Sequence, residues 1–90
     1  MEVQLERGVV KTLAKYPEKL RVHIFKHIRT LENPFNAPDV ECLHTKTQVY
    51  RMHIGRTYTV IFKIYKDSGI VLVLDLLTIE QAHKRYGRYS

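Results

Sequence analysis

The sequence predicts a one-domain α+β fold, an N-terminal strand and a two-helix hairpin packed on an antiparallel sheet of three or four strands, with a short C-terminal helix. Three observations carry this. Residues 49–77 form three runs rich in Val, Ile, Tyr and Thr, separated by short turn-forming segments. Residues 9–31 place apolar side chains at helical spacing, interrupted once by proline. A chain of 90 residues holds one modest core, so a functional site must lie on its surface or in a shallow groove.

At the start, Val3 and Leu5 alternate with Glu2, Gln4 and Glu6, the period of a short half-buried strand. Gly8 punctuates, and Val9, Val10, Leu13 and Ala14 then gather on one side of a short helix that Pro17 closes. A second helix begins at Pro17-Glu18, where a missing N–H and a negative charge suit the first turn. Leu20, Ile24, Ile28 and Leu31 form its apolar stripe, Lys19, Lys26 and Arg29 its outer face, and Asn33-Pro34 its stop.

The segment from Pro34 to Val40 reads as a loop, and a weak strand is expected over Val40 to His44. Val49 to Ile54, Thr57 to Lys66 and Ile70 to Leu77 follow as strands, turned at Gly55-Arg56 and Asp67-Ser68-Gly69 into an antiparallel meander. Ala82, His83, Lys84, Arg85 and Tyr86 fall on a final helix ahead of Gly87-Arg88-Tyr89-Ser90.

Fifteen Lys and Arg against nine Asp and Glu give a formal charge of +6, which favours nucleic acid or an acidic protein as partner. The single cysteine, Cys42, cannot form an intramolecular disulfide, so the expected home is a reducing cytoplasm and the expected role of Cys42 is packing. No apolar run is long enough for a signal peptide or a membrane span, and no membrane association is expected. His23 and His27 stand one helical turn apart, but no third ligand accompanies them, so a helix-surface role is expected rather than a metal.

Alternation along the strands sorts the side chains. Val49, Arg51 and His53 share one face, with Thr59, Ile61, Lys63 and Tyr65 joining them from the next strand. Tyr50, Met52, Ile54, Tyr58, Val60, Phe62 and Ile64 point the other way, into the core.

The run Val49-Tyr50-Arg51-Met52-His53-Ile54-Gly55 followed by Tyr58-Thr59-Val60-Ile61-Phe62 resembles the paired-strand pattern of the RelE/ParE toxin superfamily. The element order and a basic tail ending in tyrosine, Tyr86 or Tyr89, extend that likeness over nearly the whole chain. Thr59 stands where the RNA-cleaving members usually carry arginine. A second family arginine falls on Glu80 when counted back from Tyr86, or on His83 when counted from Tyr89.

The resemblance implies a toxin of a toxin-antitoxin system, a RelE-like endoribonuclease needing no metal or other cofactor, which cuts messenger RNA on the ribosome and represses translation. It also implies an elongated, acidic or amphipathic antitoxin that wraps the toxin as a hetero-oligomer. The 2′-hydroxyl attacks the adjacent phosphorus, so a base must take its proton, cations must stabilise the phosphoryl charge, and an acid assists the leaving 5′-oxygen. His53 is the expected base, with Arg51 and Arg56 on phosphates, and His83 or Tyr86 as acid or stacking group. Lys63, Arg85, Arg88 and Tyr89 are the expected RNA-binding residues. Two rival readings share the fold expectation: a ParE-like toxin that inhibits DNA gyrase without cutting RNA, and a non-toxic nucleic-acid- or partner-binding module.

Overall fold

The computed structural model describes residues 1–86. The chain runs β1 (Glu2–Leu5), α1 (Arg7–Ala14), α2 (Glu18–Arg29), a single 3-10 turn (Thr30–Glu32), β2 (Val40–His44), β3 (Val49–Ile54), β4 (Tyr58–Tyr65), β5 (Ile70–Thr78) and α3 (Ile79–Arg85). Gly8 does not separate strand from helix; it lies inside α1, which starts directly after Glu6. Among the described residues no helix is long and apolar enough to cross a membrane.

The strands form one sheet in the order β1-β5-β4-β3-β2. The meander β3-β4-β5 is antiparallel as the turn chemistry requires, with Gly55 and Gly69 at φ +62 and +68 supplying left-handed turn positions. The expectation of three or four antiparallel strands is corrected to five in a mixed sheet. The weak strand β2 pairs with β3, and β1 lies parallel to β5, aligning Val3 with Val71 and Leu5 with Val73. The α1-α2 hairpin carries the chain from one edge of the sheet to the other, which is why β1 and β2 end on opposite sides.

Val9, Leu13, Ile24, Ile28 and Leu31 pack on Met52, Ile54, Val60, Phe62, Ile64, Val71, Val73 and Leu76, which completes the larger core on the helix side of the sheet. Tyr50 stacks on Phe62 within this layer, their ring centroids 5.6 Å apart. On the opposite side a smaller core joins Val49, Ile61 and Leu77 to Ala82 of α3, with Leu43, Leu74 and Tyr86 around it. The helix α3 therefore covers part of the face that carries Arg51 and His53.

A bulge in β5 makes that cover possible. Ile61 aligns with Asp75 and Phe62 with Val73, so Leu74 is the extra residue. Leu74 reaches the α3 cluster, and Asp75 pairs with Arg85 of α3 at 3.9 Å. The helix itself starts with a capping box: the Gln81 N–H donates to Thr78 Oγ1 at 3.2 Å, and the Thr78 N–H donates to Gln81 Oε1 at 3.1 Å. The Ile79 N–H donates to the Thr57 carbonyl at 2.8 Å, which ties the root of α3 to the β3-β4 turn.

Candidate active site

Arg51 and His53 project from β3 toward the α3 side, as alternation requires. Cross-strand register sets their neighbours. Glu41 of β2 and Ile61 of β4 flank Arg51 in one row, and Thr59 of β4 lies opposite His53 in the next. Arg51 donates to the Glu41 carboxylate, so one candidate phosphate-binding cation already has a partner.

His53 is the centre of the arrangement. Its Nδ1 lies 3.0 Å from Thr59 Oγ1, and its backbone N–H donates to the Asp39 carbonyl at 3.3 Å. Partial burial, then the charges of Arg51 and His83, hold its pKa below the ordinary histidine value of 6.5, against the opposing pull of Asp39 and Glu41. A pKa lowered in this way favours the neutral imidazole, the form able to accept a proton. The influence of His83 on this titration places that α3 side chain in the electrostatic environment of His53. Its ring packs edge-on against Tyr86 with centroids 5.4 Å apart.

The structure thus groups Arg51, His53 and His83. Arg56 is exposed in the β3-β4 turn at the same end of the sheet. Lys63 shares the face but pairs with Val49, four residues along β4 from Thr59, or about 13 Å at strand spacing. Its ammonium lies over the Tyr65 ring at 5.1 Å. Arg85 points toward Asp75 rather than standing as a solvated cation. The hydroxyl of Tyr86 is buried with no hydrogen-bond partner among the described residues, and the ring packs in the smaller core. That placement suits packing, and leaves His83 as the exposed acid candidate. Arg88 and Tyr89 lie outside the described residues.

No protein-family model matches the sequence, and no curated protein is similar enough to count as a relative. Solved structures do match. The chain superposes on the archaeal RelE-RelB complex of Pyrococcus horikoshii with a TM-score of 0.75 at 24% identity, over 86% of this chain and 92% of that one. The chain has the RelE fold. The RelBE2 toxin-antitoxin complex of Mycobacterium tuberculosis agrees, at TM-score 0.70 and 15% identity over 86% and 95% of the two chains. So does isolated Escherichia coli RelE toxin, at 0.69 and 12% identity over 93% and 96%.

Within this RelE fold, sequence reasoning missed the partners of the cations and of His53. Thr59 reads in sequence as a neighbour of Arg51 and His53 on one face and as a position without arginine, but its full burial and its contact with the imidazole are not read there. Glu41 and Asp75 are counter-ions that no local spacing reveals, because strand pairing and a bulge bring them to the face. Cys42, expected to pack, is instead exposed on the edge strand β2. Among the described residues no group of three or more His, Cys, Asp or Glu is placed to hold a metal, and His23 and His27 contact each other and their own helix.

Proposed function

We propose that this chain is a RelE-like toxin, an endoribonuclease that cleaves messenger RNA on the ribosome and is restrained by a cognate antitoxin. The observation that carries this reading is the placing of His53, its pKa held below the ordinary histidine value, beside Arg51 and within the field of His83 on one face of the sheet. His53 takes the proton of the 2′-hydroxyl as the oxygen bonds to phosphorus. Arg51 and Arg56 stabilise the phosphoryl oxygens, and His83 is the acid that supplies the proton to the departing 5′-oxygen. The products are a 2′,3′-cyclic phosphate and a 5′-hydroxyl. Lys63 lies farther along the same side, where it extends the grip on the RNA backbone, while Arg85 is drawn toward Asp75 in the row of Arg51.

The partner reading draws on the other side of the molecule. Val10, Val22 and Phe25 are about half exposed on the outer surface of the helical hairpin, at 51%, 47% and 46%, with Arg21, Lys26 and Arg29 among them. An apolar strip rimmed by cations suits an acidic amphipathic segment, the chemistry expected of an antitoxin.

Inducing the protein in cells and mapping new 5′ ends of messenger RNA tests the reading. Cleavage is expected, reduced by about a hundredfold or more in His53→Ala. Intact messenger RNA in growth-arrested cells rejects it. The ParE-like alternative is favoured by Thr59, an uncharged and fully buried residue where an arginine serves the nucleases. Inhibited gyrase supercoiling with uncut RNA would establish that alternative.

A further inference from the structure

Thr59 occupies a position with no access to water, and its hydroxyl has two neighbours. Oγ1 lies 3.2 Å from the Met52 carbonyl oxygen and 3.0 Å from His53 Nδ1. A hydroxyl has one proton to give and two lone pairs to receive with. The carbonyl can only accept, so in this bond the Thr59 hydroxyl donates, and the proton given to Met52 is not available to the imidazole. The remaining bond then has a fixed direction: Nδ1 must carry the hydrogen and donate it to Oγ1.

We propose that Thr59 is a positioning residue that locks His53 in its Nδ1–H tautomer and leaves Nε2 as the basic nitrogen presented to substrate. Which ring nitrogen of a histidine is protonated follows from the hydrogen bond made by the other. Here that bond comes from a buried side chain on the neighbouring strand, held by the His53-Thr59 register of β3 and β4. Among the described residues Nε2 has no hydrogen-bond partner, which is the condition for a base awaiting a substrate hydroxyl. The inference deepens the assignment of His53 as general base and rests on it for its catalytic consequence, but not for the tautomer itself. A threonine at position 59 gives up a phosphate-binding cation and gains an oriented base.

Long-range proton-nitrogen correlation spectra of the ¹⁵N-labelled protein, at a pH where His53 is neutral, test the tautomer directly. His53→Ala identifies the resonances by their loss. In the wild type, Nδ1 is expected to show the shift of a protonated ring nitrogen and Nε2 that of an unprotonated one. Thr59→Val keeps the side-chain shape and removes the hydroxyl, so the two shifts should move toward each other as both tautomers become populated. Thr59→Ser should restore the wild-type pattern. A wild-type ring protonated at Nε2, or a Thr59→Val spectrum identical to wild type, overturns the proposal. Should Thr59→Val fail to fold, the wild-type and Thr59→Ser spectra still decide it. In RNA cleavage, Thr59→Val should lower kcat by about tenfold with KM little changed. A protein with the expected tautomer that cuts no RNA defeats the ribonuclease reading and leaves the tautomer assignment standing.

Discussion

His53 owes its behaviour to groups on four segments: Arg51 beside it on β3, Glu41 on β2, Asp39 in the loop before β2 and His83 on α3. Burial, then the influence of Arg51 and of His83, lower its pKa, so the folded chain resists a proton that the unfolded chain accepts near pH 6.5. The stability linked to this residue is therefore present above about pH 6.5 and is lost as pH falls through the lower folded value, levelling off below it. His83→Ala removes one of the lowering charges, so the His53 midpoint followed by NMR should rise toward 6.5; a midpoint that falls or stays fixed would show that the two rings are not coupled. That Arg51 and His53 share a face is legible in the sequence, because strand alternation needs only local spacing. The role of Thr59 is not. Alternation puts Thr59 on the face of His53 but does not reveal its burial or its bonds, which depend on the cross-strand register that sets it opposite His53 on β3 and beside Leu77 on β5.

Among the elements, α3 decides how closed the site is. It is a short helix, held by the Thr78-Gln81 capping box, by Ala82 in the smaller core and by the Arg85-Asp75 ion pair. Short helices depend on such contacts because their own hydrogen bonds barely offset the cost of nucleation. Thr78→Ala removes the cap and should lower stability by about 1 kcal/mol in denaturant unfolding. It should also speed amide exchange in α3 and raise the His53 pKa, since looser cover restores solvent to the imidazole. A variant that loses stability without moving the His53 titration would show that α3 does not set its desolvation. The helix is legible as a basic, aromatic segment after the last strand. Its seat is not, because the β5 bulge breaks the two-residue period and turns both Leu74 and Asp75 toward it.

The sheet separates two surfaces to which the proposed function gives different tasks. The face under α3 carries Arg51, His53 and His83, whereas the outer surface of the α1-α2 hairpin carries Val10, Val22 and Phe25. The meander and the hairpin are readable from turn residues and periodicity, but the parallel seat of β1 beside β5 is not, because it joins segments far apart in the chain. With a formal charge of +6, RNA binding should weaken linearly on logarithmic axes as salt rises, and Arg56→Ala should reduce that slope by about 1 if its guanidinium meets a phosphate. An unchanged slope removes Arg56 from the RNA footprint. Partner binding should respond to a different substitution. Phe25 is central to the exposed strip on α2 and borders three adjoining grooves, so Phe25→Ser should weaken a co-expressed antitoxin by about thirtyfold or more in calorimetry, the loss typical of a buried aromatic anchor. Because α2 and His53 lie on opposite sides of the sheet, the same variant should cut RNA at the wild-type rate. Loss of cleavage together with loss of partner binding would mean that the two surfaces are not independent, and that the antitoxin grips the catalytic face itself.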